Sequence, residues 1–235
     1  MSTERDSLPP PPWSSERKKA RKPLSREVLT EAALKIVDAE GLEALSMRRL
    51  AEDLEAVPSA IYAHVSDKPE LLQLMIDRVS ADFVVPKPDP KRWQEQMREA
   101  CRSMYAVLVK HRDLGITTLG DIPTGHNALK FTDGLLAIMR AGKLPKRACA
   151  YAIDALPLYI CSSAYERSVF SKRLEKEPKY FEELHGYFRS LPKERFPAAA
   201  EMVDELISEG EGEDSRFEFG LDLMIRGLGT WAGKK

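Results

Sequence analysis

The segment from Leu24 to Phe83 constrains the fold of this chain more than any other, because four helical patterns follow one another there. In the first pattern, apolar residues recur at helical spacing along one face, at Leu29, Ala32, Ala33 and Ile36. Ser25 precedes this pattern and Gly41 follows it, as is typical of a helix start and a helix end. The sequence therefore predicts a well-delimited first helix.

Two shorter patterns and one longer pattern follow. Ser46 can cap a second helix that ends near Leu54, and a third short helix starts near Pro58. A longer helix over 67–83 opens with the capping box Asp67-Lys-Pro-Glu70. Two short helices joined by a tight turn are typical of a helix-turn-helix, which places its second helix in the major groove of DNA.

Residue types around the turn suit contacts with DNA. Alanine can touch a thymine methyl group, serine can bond a base or a phosphate, and basic side chains reach the backbone. Lys68 begins the fourth helix, where its ammonium group and the first backbone amides could together hold a phosphate. The candidate DNA-binding residues of this module are Arg48, Arg49, Pro58, Ser59, Ala60, Tyr62, His64 and Lys68.

The charge balance points to a second DNA-contacting segment. Between Glu27 and Asp82 there are five bases (Lys35, Arg48, Arg49, Lys68, Arg78) against twelve acids, whereas a nucleic-acid binder usually shows a basic footprint. Residues 1–23 carry a four-proline run and a basic cluster and are expected to be disordered. This cluster is either a solubilising tail or an arm that contacts phosphates, through Lys18, Lys19, Arg21 and Lys22.

Beyond residue 85 the sequence predicts a second, larger helical domain. Three prolines between Val85 and Pro90 break the chain, so we place the domains at 1–23, 24–85 and 90–235. Seven further helical pieces are expected: one starting at Trp93, then 116–119, 127–141, 146–167, 178–190, 197–208 and 214–231. The acidic, glycine-rich run 208–215 indicates a loop. No strand-like alternation is present, and the predicted class is all-α.

Aromatic and methionine side chains in this second domain could line a cavity for a small apolar ligand, or could simply form the core of a helix bundle. The candidate ligand-binding residues are Trp93, Met97, Met104, Tyr105, Thr118, His126, Phe131, Met139, Tyr159 and Tyr165, with Met224 beside them. Thr117, Asn127 and Glu166 are further polar candidates, and His126 could equally lie at a helix start on the surface.

The chain resembles the tetracycline-repressor (TetR) family of bacterial regulators. The resemblance is carried by Leu45-Ser-Met-Arg-Arg-Leu-Ala-x-x-Leu54, Ile61-Tyr-x-His-Val65, Lys68 and Leu71-Leu72, and more loosely by His111-Arg-Asp113, Leu119-Gly120 and Phe217-x-Phe-Gly-Leu-Asp-Leu-x-Ile-Arg-Gly-Leu228. It implies a homodimer in which helices 146–167 and 214–231 pair with their mates. The residues expected to serve that role, or to be buried within one subunit, are Ile153, Leu156, Ile160, Leu221, Ile225 and Leu228.

The chain departs from the family at two places. Glu55-Ala56 stands where the family usually has glycine and valine, and a positive φ there would strain glutamate by roughly 1 kcal/mol relative to glycine. Thr118 stands where the tetracycline-responsive branch has a magnesium-binding histidine. A magnesium–tetracycline ligand is therefore not expected, and no metal or cofactor is predicted.

The leading prediction is a ligand-responsive repressor that binds a palindromic double-stranded operator and leaves it when a small-molecule effector binds. An activator and a ligand-independent DNA-coating protein remain alternatives. No nucleophile motif, metal-ligand spacing or phosphate-binding glycine loop indicates an enzyme. Without a long apolar run or a secretory signal, no membrane association is expected, and the predicted location is the bacterial cytoplasm, on the nucleoid when DNA is bound.

Overall fold

The computed structural model describes residues 23–118, 124–207 and 214–234, and within these ranges every regular element is a helix. The predicted all-α class is confirmed. The α-helices are α1 Arg26–Glu40, α2 Met47–Asp53, α3 Pro58–Tyr62, α4 Lys68–Ser80, α5 Trp93–Lys110, α6 His126–Ala141, α7 Lys146–Lys176, α8 Tyr180–Arg189, α9 Pro197–Glu201, α10 Val203–Leu206 and α11 Ser215–Gly229. Two 3₁₀ helices complete the set, η1 Leu42–Ala44 and η2 Arg112–Thr118. The basic cluster with Lys18, Lys19, Arg21 and Lys22, the Leu119-Gly120 pair and most of the acidic loop lie outside the described residues.

The first helices begin where their capping side chains predict. The hydroxyl of Ser25 accepts a hydrogen bond from Val28 N, and the hydroxyl of Ser46 accepts one from Arg49 N. Asp67 accepts from Glu70 N at 2.8 Å, but the Glu70 carboxylate accepts from Ser66 N, one residue before the position of a standard capping box. Local capping chemistry therefore sets these helix starts.

The helix-turn-helix is held to the rest of the protein by fully buried apolar side chains. Ile61 and Val65 anchor α3 and the residues after it, while Leu50 does the same for α2. They pack in one continuous core that also contains Leu29 of α1 and Met75 of α4. Because α3 is only five residues long, these contacts, rather than helix propensity, keep it in place.

The proline-rich linker between α4 and α5 is pinned by side chains of α5. The buried Gln96 donates from Nε2 to Lys87 O and accepts from Asp89 N at 2.8 Å. Ser103 accepts from Val84 N, also at 2.8 Å. The linker is therefore attached to the second helical unit near both of its ends.

Three of the predicted helices differ from the structure. Helix α7 runs to Lys176 rather than to residue 167, since no glycine or proline occurs between residue 167 and Pro178. The segment expected at 197–208 is broken at Met202 into α9 and α10. The short helix expected at 116–119 is instead the 3₁₀ helix η2, which begins at Arg112.

Candidate DNA interface and effector region

The third helix presents an accessible face made of small and hydroxyl-bearing side chains together with Pro58. Pro58 and Ser59 are exposed, Ala60 is half-buried, and Tyr62 is 52% exposed. Ile61 points the opposite way, into the core. This arrangement leaves small and hydroxyl-bearing side chains free for close approach to a groove, as the sequence predicts. The residue-level DNA contacts themselves stay predictions.

The candidate basic residues differ in how strongly they are engaged within the protein. The Arg48 side chain is 87% exposed, and among the described residues it pairs with Glu52, one helical turn away. Arg49 is bound to Glu40 at 2.5 Å and lies 3.6 Å from Asp53, and its hydrogen bond to Glu40 raises the pKa of its guanidinium. Arg48 is therefore the freer of the two for DNA.

The ammonium group of Lys68 is used inside the protein. Its Nζ donates to Leu45 O at 2.6 Å and to Leu42 O at 3.5 Å, so it holds the carbonyls of the first residue of η1 and of the residue that follows η1. The role expected from the sequence, in which Lys68 holds a DNA phosphate, would require it to share or leave these partners.

Two contacts next to the recognition helix α3 could not be predicted from the sequence. Arg26 donates from Nε to the carbonyl oxygen of His64 at 3.0 Å and pairs with Glu70 at 2.6 Å. The residue His64 itself lies just beyond α3 and is half-buried. Arg26 thus connects α1 to the exit of α3 and the start of α4. Nothing local marks it, because its partners are 38 and 44 residues away.

The sequence leaves open whether Glu55 adopts a strained positive φ or the turn takes another shape, and the structure shows the positive φ. Glu55 has a φ of 47°, in the left-handed region where glycine carries no steric penalty. Ala56 N donates to Ala51 O at 2.9 Å, which closes the end of α2. The turn therefore keeps a left-handed residue even though glutamate occupies it.

Most of the candidate ligand residues form the core of the second unit. Six of them are buried: Trp93, Met97, Met104, Tyr105, Phe131 and Met139. Tyr159 and Tyr165 are half-buried, His126 is exposed at the start of α6, and the Thr118 side chain lies outside what the structure describes. In this structure the six buried residues therefore form part of the core of a helix bundle, which is one of the two interpretations that the sequence allows.

Three aromatic rings at one side of this core lie nearly parallel. The ring of Phe217 stacks on Tyr105 with a centroid distance of 3.8 Å and lies 5.8 Å from the ring of Tyr159. The Tyr105 hydroxyl donates to Asp214, while burial and this hydrogen bond raise its pKa to about 12. Tyr105 therefore remains a neutral hydrogen-bond donor beneath the start of α11.

One carboxylate joins α4 to α6. Asp77 Oδ1 accepts from Asn127 N at 2.7 Å and from Ala128 N at 3.2 Å, and Oδ2 accepts from the Asn127 side chain. Asp77 thus serves as the N-terminal cap of α6 from another helix. Any shift of α6 relative to α4 must change this contact.

An open groove of about 570 Å³ runs between α7 and α11. Its walls are formed by Arg147, Ala148, Tyr151, Ala152, Ala155, Leu156, Met224, Gly227, Leu228 and Trp231. Of the residues proposed from sequence to surround a ligand, only Met224 contributes to it. The groove is therefore distinct from the predicted effector region.

The apolar residues expected at a dimer face divide into two groups. Leu156, Ile160, Leu221 and Ile225 are buried within the subunit, whereas Ile153 and Leu228 are half-buried. Four apolar side chains that helical spacing does not single out are exposed on the same helices, Tyr151 and Leu158 on α7 and Phe219 and Leu223 on α11. Together with Trp231, which is exposed just after α11, they form what we call the exposed stripe. Helical spacing identifies apolar faces but does not tell which face turns inward.

In the part of the chain that the structure describes, no group of three or more metal-ligating side chains occurs, and no helix has the length and hydropathy needed to cross a membrane.

Known proteins resemble this chain over most of its length. A family model described as tetracyclin repressor-like, C-terminal domain, matches residues 85–231. The HTH-type transcriptional repressor DrrR1 of Streptomyces coeruleorubidus is 27% identical, with 92% of this chain and 82% of the relative covered. The class D tetracycline repressor protein of Escherichia coli is 25% identical, with 87% and 89% covered.

Solved structures of ActR from Streptomyces coelicolor are similar in both fold and sequence. The apo structure is 38% identical with a TM-score of 0.81, and the alignment covers 91% of this chain and all of the other. The complex with actinorhodin is 38% identical with a TM-score of 0.82, covering 90% and 98%.

Proposed function

Because this chain belongs to the tetracycline-repressor (TetR) family, we propose that it represses transcription until an effector binds. Its membership is shown by the family match over residues 85–231 and by the 38% sequence identity to ActR. It is a ligand-responsive, DNA-binding transcriptional regulator. The observation that supports the proposal is the accessible face of α3. This helix packs on a buried core that continues into the second helical unit, α5 to α11. The relatives are transcriptional regulators.

The DNA-reading surface is centred on α3. Ser59, Ala60 and Tyr62 reach the groove, and Arg48 contacts backbone phosphate from the start of α2. Arg49 and Lys68 act mainly by holding α2 and η1 in position, since their charged groups already have partners inside the protein. The tail residues Lys18, Lys19, Arg21 and Lys22 supply much of the electrostatic attraction, because the module itself is rich in acids.

A palindromic operator requires a protein with twofold symmetry, and the exposed stripe on α7 and α11 is the surface proposed to provide it. Large apolar side chains lie in the open there, among them Phe219 and Leu223. Exposed apolar side chains grouped on two neighbouring helices are typical of a protein–protein interface. The homodimer places one α3 on each half of the operator.

The effector is proposed to be a small molecule with aromatic character. ActR has been solved with actinorhodin, and this chain carries stacked aromatic rings together with Met97, Met104 and Met139 in its second helical unit. Methionine side chains repack readily around a ligand. The ligand enters by opening space among these helices and favours the state that does not bind DNA.

The contact between Asp77 and the start of α6 gives the effector a route to the DNA-binding module. An effector that moves α6 would tilt α4 through this cap. Tilting α4 alters the separation of the two recognition helices in the dimer, and this coupling is the proposed basis of release.

The proposal is tested by fluorescence anisotropy with DNA from beside the protein's own gene and with scrambled DNA, each at two salt concentrations. We expect tight binding to one site that survives moderate salt. Replacing Arg48 by alanine should weaken binding, whereas the same change at the exposed Arg195, far along the chain, should not. Equal, salt-labile binding to both DNAs would favour a DNA-coating protein. A gene that becomes less active when the protein is deleted would show an activator.

A further inference from the structure

A buried carboxylate joins the helix-turn-helix module to the long helix α7. Asp113 lies in η2, and its side chain is about 10% exposed. Both of its oxygens accept from Lys172 Nζ at 2.6 Å, Oδ1 also accepts from the Ser168 hydroxyl at 3.0 Å, and Oδ2 accepts from Leu42 N at 3.2 Å. One side chain therefore holds two residues of α7 and the first residue of η1.

The backbone around this carboxylate leaves little room for movement. A side-chain carbon added at Gly41 would lie 3.0 Å from Asp113 Oδ2, and one added at Gly115 would lie 3.0 Å from the Cys161 carbonyl oxygen. Gly41 also has a φ of 91°, which favours glycine. The 3₁₀ helix η2 thus fits closely between the end of α1 and α7.

The electrostatics keep Asp113 charged in this position. Burial raises the pKa of its carboxyl, but the hydrogen bonds from Lys172, Leu42 and Ser168 together outweigh burial and leave the pKa below its usual value. A charged carboxylate with four hydrogen-bond contacts is a strong connection, because removing one partner leaves a buried charge poorly compensated.

The segment that Asp113 holds leads directly into the DNA-reading helices. η1 ends two residues before Ser46, the cap of α2, so its position determines where α2 starts. From the other side Lys68 Nζ binds the carbonyls of Leu42 and Leu45. η1 is therefore clamped between α7, through Asp113, and α4, through Lys68.

We propose that Asp113 is a positioning residue for operator binding, which with Lys172 fixes the start of the helix-turn-helix to α7. This connection is separate from the one between Asp77 and α6. It makes the orientation of α2 and α3 depend on α7, the helix that also carries the proposed dimer stripe. The inference rests on the proposed function, since it requires a specific operator.

The test compares Lys172→Met with Lys172→Arg and Lys176→Met. The first removes the cation, the second keeps it, and the third is a matched control at an exposed lysine one turn further along α7. Each full-length variant is titrated with operator and scrambled DNA and subjected to hydrogen exchange. Asp113→Asn, which is nearly isosteric, serves as a second, independent variant.

We expect Lys172→Met and Asp113→Asn to lose about three- to thirtyfold in operator affinity, with binding to scrambled DNA unchanged. The Leu42 amide should exchange faster in both. Lys172→Arg should restore most of the affinity, and Lys176→Met should behave like the unmodified protein. A merely structural role would lower both DNA affinities together, or would lower only the melting temperature.

The proposal is overturned if either folded variant binds operator as the control does, or if operator and scrambled DNA lose affinity in equal proportion. Failure of the proposed function would look different. The unmodified protein would then show no operator preference at all, while faster exchange at Leu42 in the variants would still report the connection to α7.

Discussion

Glu55 shows how a single residue can be held in a costly conformation by its surroundings. Its φ of 47° is required by the turn between α2 and α3, whose ends are fixed by the buried residues Leu50 and Ile61. A left-handed conformation costs a non-glycine residue roughly 1–2 kcal/mol. The sequence reveals this strain, because a glutamate stands where the family has glycine.

Replacing Glu55 by glycine is expected to raise the free energy of unfolding by about 1 kcal/mol, since relief of the strain exceeds the extra freedom that glycine gives the unfolded chain. Urea denaturation measures this difference. The same change at Glu43, an exposed residue without a positive φ, should lower stability. A Glu55→Gly protein no more stable than the original would show that the turn carries no strain.

At the residue scale, the partners of charged side chains could not be predicted from the sequence. Arg49 is a candidate DNA contact in the sequence, yet it pairs with Glu40, and another base of the same module, Arg78, pairs with Glu31. The partner of Arg78 is 47 residues away, so no local pattern could indicate it. Caps such as Ser25 and Ser46, whose partners lie within three residues, were predicted correctly.

At the scale of elements, α4 and α6 are connected through the carboxylate of Asp77. This residue satisfies two backbone amides at the start of α6 and the amide group of Asn127. The helix has no capping side chain of its own, because Gly125 stands at its N-cap. A helix whose cap comes from another element is coupled to the position of that element.

Replacing Asp77 by alanine is expected to lower the free energy of unfolding by about 1–2 kcal/mol, as loss of an N-cap does. Urea denaturation measures the change. Asp133→Ala, on the exposed face of α6, should alter stability by less than about 0.5 kcal/mol. Equal effects of the two substitutions would show that the cap contributes nothing particular to the connection.

Helix lengths were less predictable than helix starts. Helix α7 is longer than the sequence predicts, because its last nine residues are mostly polar and lack the apolar stripe that indicates a helix. Polar residues with good helix propensity extended the helix until Pro178. Local chemistry predicts where these helices begin, whereas their ends and their inner faces depend on what they pack against.

At the scale of the whole molecule, the exposed apolar stripe on α7 and α11 is proposed to mediate assembly. Replacing Leu223, which is 56% exposed, by arginine should place a charge within the dimer face. We expect a monomer at micromolar concentration in analytical ultracentrifugation. Operator affinity should fall by at least about hundredfold, because the two half-sites are then no longer bound together.

Leu129 provides the matched control. It is 52% exposed on α6, outside the proposed dimer face, so Leu129→Arg should remain dimeric and bind operator normally. A Leu223→Arg protein that stays dimeric would show that the dimer interface lies on another surface of the molecule.

The clamp that Gln96 forms on the proline-rich linker bears on the spacing of DNA sites. A linker attached near both ends is rigid, so each recognition helix α3 keeps a fixed position relative to the twofold axis of a dimer. One inserted base pair rotates a half-site by about 35° around the duplex, since a turn holds about 10–10.5 base pairs. In the proposed homodimer without effector, such an attachment would keep the recognition helices from following that rotation, and we expect its operators to share a single half-site spacing.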